Sequence, residues 1–506
     1  MAYRYEQTAN GGTDIVIDGW ERGIADSPYS ISVPSSMGPV TNTGMVELSY
    51  GNITGIPGEF SVNYPLANQS ISGHSIATPY HKANETGGAG LIPAYYILDS
   101  SGRVFINTGS GWTFQSQVGT NIDITGDSFG NEGMVWWKGY LFVIRIDQIY
   151  YSSNQGVSFT NWTATVGFIG SGGASHSAIV SVNDAIYFCN GSDLASIVQT
   201  AGQTFDPTSA VTYTFQSSTV SIPSWDSMTC LAEINNQLMI GGGSNRVYVW
   251  DEISSNVGYP LFLSENFVRK IVVSNTNAYI FTGSISNPNG RGFIYISNGS
   301  NIDIFKKMPD HLANLSGTAV QEPYWTFGDA IYHRNKLFFG ALCNGVGGVW
   351  AIDLNSMALY RSDLMSSGAG ALATVLNSSF PSALSTSGLS YFAAALGIIN
   401  QSTSTLSTAA VATSDQIPVG TFLIKNTSRN VEVKLAVPLA AGESVVITAN
   451  TDTASGITVG TMTSADGVGA VFPASFEKAQ WVQITATLNP TNSSPSYCRL
   501  REIRIR

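Results

Sequence analysis

Apolar and polar positions alternate with period two through much of this chain, and short polar bends interrupt the alternation at repeating distances. Seven segments share one shape: an apolar run, a tight polar bend, then a second run rich in aromatic or aliphatic residues. They are YYILDSSGRVFIN, MVWWKGYLFVI, AIVSVNDAIYF, LAEINNQLMI, IVVSNTNAYIF, AIYHRNKLFFG and LSTSGLSYFAAA. Each reads as a β-hairpin, because Asn, Gly and Asp tolerate the positive φ that two-residue turns demand. The second turn residues fall at Gly102, Gly139, Asp184, Asn236, Asn277, Asn335 and Gly388, a mean spacing of (388 − 102)/6, about 48 residues. A recurrence of roughly 40–50 residues matches the four-stranded blade of a β-propeller. The pattern therefore predicts an all-β protein built on a propeller of about seven blades.

Looser hairpins lie between these, such as NRVYVWDE with Val247, Val249 and Trp250, RGFIYISNGSNIDIF, and GGVWAIDLNSMALY. They are expected to supply the outer strands. The Gly-rich stretches Gly170 to Gly173 and Gly241 to Gly243 fit blade crossings or close backbone contacts. Open sheet edges invite aggregation, so the ring should close. A strand within MVELSYGNITGIPGEFSVNY is expected to complete the last blade.

The rhythm of the chain sets four expected regions. Residues 1–89 are irregular and carry Pro28, Pro34, Pro57 and Pro65, which reads as an extended arm. Residues 90–400 hold the propeller. Residues 401–416, QSTSTLSTAAVATSDQ, have linker composition. Residues 417–506 carry six clean strand patterns with turns every 8–15 residues, as in a small C-terminal β-sandwich. In the closing YCRLREIRIR, Arg499 and Arg501 fall on one side and Arg504 and Arg506 on the other, so a β-bulge is expected near Glu502. These arginines either guard an exposed edge strand or pair with an acidic neighbour.

Composition strengthens the all-β reading. Charged residues are 11% of the 506, against roughly 25% in ordinary domains, and Gly contributes 52. With a net charge of −11 and no basic block in residues 1–490, the chain lacks the clustered Lys and Arg of a phosphate-gripping nucleic-acid binder. Cys189, Cys230, Cys343 and Cys498 form no CxxC pair, and His74, His81, His176, His311 and His333 show no metal-ligand spacing. The sequons at Asn161 and Asn298 are read as chance occurrences in an Asn/Ser/Thr-rich chain. The N-terminus MAYRYEQTANGG shows no secretory leader, and no apolar run is long enough to span a membrane. An extracellular-type surface without a leader fits assembly inside a cell and release by lysis.

No phosphate-binding, zinc-protease, nucleophile-elbow or dinucleotide motif is present. Residues Ser152 to Phe159, SSNQGVSF, resemble the Asp-box turn of sialidases and related propellers, with Asn154 in place of Asp. That box is a structural hairpin, so it supports the propeller and not catalysis. A sialidase-like site would also need an arginine cluster and a Tyr–Glu nucleophile pair. The propeller's arginines (Arg103, Arg145, Arg246, Arg269, Arg291, Arg334 and Arg361) and its carboxylates are scattered. Most aromatics occupy alternating strand positions and read as core. No catalytic, cofactor-binding or metal-ligating residue is assigned, and no enzyme activity is expected.

The two ends carry a resemblance. GGTDIVIDGWERGIADSPYS followed by IPGEFSVNY, and the closing AQWVQITATLNPTNSSPSYCRLREIRIR, are similar to the tail nozzle (tail tubular protein B-like) proteins of short-tailed bacteriophages. Gly19, Trp20, Gly23, Asp26, Pro28, Pro57 and Gly58 carry the first part. The resemblance implies a non-catalytic virion tail component, assembled in the host cytoplasm as a homo-oligomeric, six-fold ring with adaptor, portal and fibre proteins as partners. Its channel would pass DNA without specific binding, which an acidic wall suits. The competing expectations are a receptor- or glycan-binding propeller and, behind that, a sialidase-like glycosidase.

Overall fold

The structure is a computed structural model of the chain. It describes residues 133–308 and 410–506 apart from interruptions at 146–147, 171–176, 265–266, 275, 284–291, 415–416, 419–427, 477–478 and 490–497. Outside these stretches it describes the strands named below and a few flanking residues.

Seven four-stranded antiparallel sheets succeed one another. Blade 1 runs from Ser75–Lys82 to Trp112–Gln117, blade 2 from Gly133–Trp137 to Thr160–Asn161, and blade 3 from Ala178–Val180 to Tyr213–Ser221. Blade 4 runs from Met228–Ile234 to Leu261–Phe262, blade 5 from Val268–Ser274 to Ile302–Lys307, and blade 6 from Trp325–His333 to Ala358–Leu364. In these six, strands pair in chain order. The first strands of successive blades touch each other all the way round, and Thr374–Asn377 of blade 7 touches Ser75–Lys82 of blade 1. The seven sheets thus form a closed propeller with the first strands nearest the axis.

The hairpin turns behave as their residues require. Lys138 and Gly139 have φ of 51° and 85°, Asn235 and Asn236 have 50° and 59°, and Asp184 and Asn335 have 60° and 62°. Positive φ at both central positions of the Lys138–Gly139 and Asn235–Asn236 turns matches the right-handed strand twist.

Apolar packing lies between consecutive sheets. Phe142 and Ile144 of blade 2 bury against Ile186 and Phe188 of blade 3. Phe281 of blade 5 meets Phe327 and Phe339 of blade 6 at 5.3 and 5.2 Å between ring centroids. Buried polar groups also tie neighbours together. Arg145 Nη1 donates to the Val118 carbonyl (2.8 Å), Thr229 Oγ1 to that of Val268 (2.6 Å), and Arg269 Nε to that of Phe327 (3.2 Å). Trp137 Nε1 donates to Asp184 Oδ1 across blades 2 and 3 (2.8 Å), beside the Lys138–Asp184 ion pair.

Blade 7 closes the ring as expected of a strand from the N-terminal region. Its first three strands are Thr374–Asn377, Leu389–Ala393 and Gly397–Gln401, and its fourth is Phe60–Val62, with Ser61 opposite Asn400.

Two further sheets share a second core. One is ordered Ala2–Gln7, Thr13–Gly19, Leu500–Ile505, Ser428–Leu435 and Gly469–Ser475. The other is ordered Thr41–Thr43, Ala410–Thr413, Trp481–Asn489, Ser444–Thr451 and Ile457–Thr463. Ile15, Ile17, Val431 and Ile503 from the first join Val445, Ile447, Ile484 and Leu488 from the second in one buried cluster. Phe338 and Ala351 of blade 6 belong to the same cluster, so this unit rests on the propeller.

Several strands cut across the boundaries that composition drew. The expected arm 1–89 supplies the Ala2–Gln7/Thr13–Gly19 hairpin and the strands Thr41–Thr43, Val46–Ser49 and Asn52–Gly55 to the two-sheet unit, the fourth strand of blade 7 and the first strand of blade 1. The expected linker 401–416 contains Ala410–Thr413, which pairs with Trp481–Asn489. YYILDSSGRVFIN is the second–third hairpin of blade 1, one strand out of phase with the other repeats. The true first strand, SIATPYHK, holds Pro79 and lacks alternation, which hid it. Asn277 pairs with Ser274 and so begins its strand instead of ending the turn. Gly388 directly precedes Leu389–Ala393, but the partner strand is the more distant Thr374–Asn377.

The last strand is interior, between Thr13–Gly19 and Ser428–Leu435, not an edge. Its register shifts where Lys434 faces Glu502 and Leu435 faces Leu500, a bulge beside Glu502. Arg504 pairs with Glu6, Asp14 and Glu502 at 3.1–3.4 Å, and Arg506 with Glu432 at 2.7 Å, all within the chain. Burial pushes the Glu502 carboxyl up, but the bonds from Lys434 and Arg504 outweigh it and hold it below the ordinary range.

Candidate ligand cleft

The turn Ser152–Phe159 sits between the third and fourth strands of blade 2. Buried Ser152 Oγ donates to Asn154 Oδ1 (2.8 Å) and accepts from the Gly156 amide (2.8 Å). Asn154 Oδ1 accepts from the Ser158 amide (3.0 Å), and Ser158 Oγ closes the loop with Asn154 Nδ2 (2.8 Å). A Cβ on Gly156, at φ 80°, would meet Tyr96 and Val104 of blade 1, and the Gly156 carbonyl accepts from Ser116 Oγ (2.6 Å). The box is therefore a structural hairpin, as the sequence reading held, and the Ser116 bond also ties it to blade 1. Ser152→Ala leaves the buried Gly156 amide without its partner and is expected to destabilise by about 1–3 kcal/mol; guanidinium unfolding of the two proteins checks this.

The other candidates do not assemble a catalytic site among the described residues. Arg103, Arg145, Arg246 and Arg269 lie in blades 1, 2, 4 and 5. The side chains of Arg291, Arg334, Arg361, of Cys343 and of the five histidines lie outside the described residues. So do Trp20, Gly23, Asp26, Pro28, Pro57 and Gly58, while Gly19 ends the Thr13–Gly19 strand. Cys189, Cys230 and Cys498 are buried free thiols, and burial pushes Cys230 to about 11 and Cys498 to about 12. Among the described residues no three His, Cys, Asp or Glu gather as metal ligands, and no helix is long and apolar enough to cross a membrane. Asn161 and Asn298 cap turns, accepting from the amides of Thr163 and Ser300 (both 3.0 Å).

One carboxylate pair does meet a tyrosine. Glu233 Oε2 accepts from the Val182 amide (2.8 Å) and Glu252 Oε2 from Asn183 Nδ2 (3.0 Å). Burial, then the two carboxylates, push the Tyr187 hydroxyl up. Burial likewise raises Glu233. Both carboxylates are engaged in holding the 182–183 turn of blade 3 to blade 4, so they act as a strap.

Among the described residues, an open concavity lies at the rim of blade 4. A cleft of about 270 Å³ is walled by Pro223 and Trp225 from the crossover between blades 3 and 4, by Arg246 and Tyr248 of the third strand, and by Val257 and Tyr259 of the following loop. Trp225 is 63% exposed and Tyr259 98%. The guanidinium of Arg246 lies over Trp225 at 4.4 Å and over Phe262 at 5.2 Å. It is oriented from behind: Arg246 Nη1 donates to Ser244 Oγ (3.1 Å), and Ser244 Oγ donates to Asp226 Oδ2. Buried Asp226 also accepts from the Tyr248 hydroxyl (2.9 Å) and from the amides of Ser227 (2.9 Å) and Ser244 (3.0 Å).

Here the glycine run Gly241 to Gly243 shows its purpose. A Cβ on Gly242 would meet Asp226 Oδ2 at 2.8 Å, and one on Gly243 would meet Ser227 Oγ at 2.6 Å. Only glycine lets the backbone approach the Asp226 network this closely.

The outer wall is held by Asp251, which accepts from the amides of Ile253 (3.0 Å) and Ser254 (2.7 Å), while Gly258 donates to the Val249 carbonyl (2.8 Å). The Ser254 hydroxyl, then the Ser254 and Ile253 amides, lower Asp251 to about 2. A depressed carboxylate stabilises its loop fully above the ordinary range and loses that contribution as pH falls towards 2. The Ile253 and Ser254 amide resonances are accordingly expected to hold their positions at pH 4 and to shift between pH 3.5 and about 2, together with the Asp251 carboxyl carbon.

The cleft offers flat aromatic faces and one oriented cation, a set suited to binding. Sequence reasoning assigned the aromatics to the core and so missed it. The available signal was local: Trp225 follows Pro223 and Ser224, and Tyr259 stands between Gly258 and Pro260, both outside any alternating run.

No family model matches the chain, and no curated protein matches it. Solved propellers are similar in part. The WD40 domain of Neurospora crassa Pan2 is 11% identical, with 67% of this chain and 91% of that one covered and a TM-score of 0.39. The β-propeller domain of Myceliophthora thermophila Cps50 (Swd1) is 11% identical, covering 66% and 97% with a TM-score of 0.41. The computationally designed Ika8 protein is 10% identical, covering 65% and 97% with a TM-score of 0.37.

Proposed function

We propose that this propeller is a non-catalytic structural module that assembles as a six-membered ring in the tail of a short-tailed bacteriophage. One observation carries the reading: the two terminal segments that resemble nozzle proteins are neighbours in one sheet. Thr13–Gly19 pairs with Leu500–Ile505, with Ile15 opposite Ile505. A part that must resist internal pressure benefits from having segments distant in the chain secured in one folded sheet. The net charge of −11 supports a channel wall that repels phosphate and lets DNA slide past. In this reading adaptor, portal and fibre proteins are the partners, and assembly takes place in the host cytoplasm.

Mass photometry and electron microscopy of the purified chain, alone and mixed with its adaptor, test the proposal. Rings of six copies support it. A chain that stays monomeric at tens of micromolar, with and without adaptor, overturns it.

A further inference from the structure

We infer that the cleft on blade 4 is a carbohydrate subsite, in which Trp225 and Tyr259 stack against one pyranose ring of a glycan and Arg246 hydrogen-bonds its hydroxyls. This goes beyond the ring-building role and does not depend on it. A pyranose has an apolar face and a polar rim. A site for it needs exposed aromatic surface beside a directed donor: the Arg246 guanidinium lies over one face of Trp225, so stacking falls to Tyr259 and the uncovered surface of Trp225. Trp225 and Tyr259 are 63% and 98% exposed, whereas the other large aromatics of blade 4's interior, such as Tyr248, are buried. The Arg246 guanidinium is fixed by Ser244 and by the Trp225 and Phe262 rings, so little rotamer freedom remains to be lost on binding.

Size and charge select among occupants. A cleft of about 270 Å³ is slightly below the roughly 300–1,000 Å³ of drug-sized sites and fits one ring of a longer chain. Single-stranded nucleic acid also stacks on aromatics, but it tracks a basic groove, and this chain carries a net charge of −11 with one arginine in the cleft. A protein partner of ordinary affinity covers about 800 Å² on each side, far more than this concavity offers.

The test uses the full-length chain on an array of pyranose oligosaccharides, followed by titration of the tightest-binding one by calorimetry. Selective binding is expected, with a loss of roughly tenfold in affinity for each of Trp225→Ala and Tyr259→Ala. Arg246→Ala is expected to weaken binding as well. Tyr259 is almost wholly exposed, so its variant keeps the parent melting curve and separates lost binding from lost folding. Absence of binding to every oligosaccharide overturns the inference. So does binding that survives both aromatic substitutions, or tighter binding of an oligo-dT strand to the same residues. Rings without glycan binding sink the subsite alone, and glycan binding by a monomer sinks the ring alone.

Discussion

Trp162→Ala is expected to destabilise the propeller by about 3–5 kcal/mol, the usual range for deleting a buried indole. Trp162 is 1% exposed and lies just after the fourth strand of blade 2. Its ring stands 4.8 Å from Tyr213, 5.7 Å from Phe142 and 5.9 Å from Tyr151, so it fills the wedge between blades 2 and 3. Its Nε1 donates to the Pro207 carbonyl (2.8 Å), which fixes the 200–212 loop of blade 3. Alanine removes the volume and the donor together. Trp162→Phe keeps most of the stacking but leaves that carbonyl unpaired, so a loss nearer 1–3 kcal/mol is expected. Guanidinium unfolding followed by circular dichroism measures both. If the two variants unfold together with the parent, the wedge does not hold the blades.

Removing residues 1–64 is expected to abolish a soluble, monodisperse fold. The deletion takes away Phe60–Val62, the fourth strand of blade 7, and exposes Gly397–Gln401 as an open edge that invites pairing with other chains. It also removes Ala2–Gln7 and its partner Thr13–Gly19, the strand that pairs with Leu500–Ile505 and contributes Ile15 and Ile17 to the second core. Asp14, 6% exposed, leaves with them, so Arg504 and Arg506 lose a shared carboxylate. Sedimentation velocity should show heavy aggregates in place of a single boundary. A truncated chain that sediments as the parent does and melts at the same temperature would mean that the N-terminal strands are dispensable.

The blades were readable where local rules decide structure. Lys138–Gly139 and Asn235–Asn236 are turns by their own conformational preference, and their flanks alternate because one sheet face meets the next blade. The reading failed where partners come from far along the chain. Thr13–Gly19 and Ala410–Thr413 looked like arm and linker, since their neighbours in the sheet, Leu500–Ile505 and Trp481–Asn489, lie far away in sequence. SIATPYHK resisted recognition because Pro79 breaks the pattern and the packing of a first strand is set by its neighbours. The cleft was hidden for another reason. An aromatic in the core and one at a loop tip look alike in a composition count, and what sets Trp225 and Tyr259 apart in the sequence is only the Pro and Gly beside them. The paired Asp226 and Ser244, 18 residues apart, carry no motif that announces them.

The clasp in blade 7 also constrains when the protein can reach its final form. Phe60–Val62 leaves the ribosome 335 residues (397 − 62) before the strand it pairs with begins. At roughly 5–20 residues per second that is a wait of tens of seconds. During this interval blades 1 to 6 emerge one after another, each able to pack on its predecessor, while the ring stays an open arc. Synthesis thus passes residue 401 before the circle is sealed, and ring closure becomes a late, quality-determining step of biogenesis.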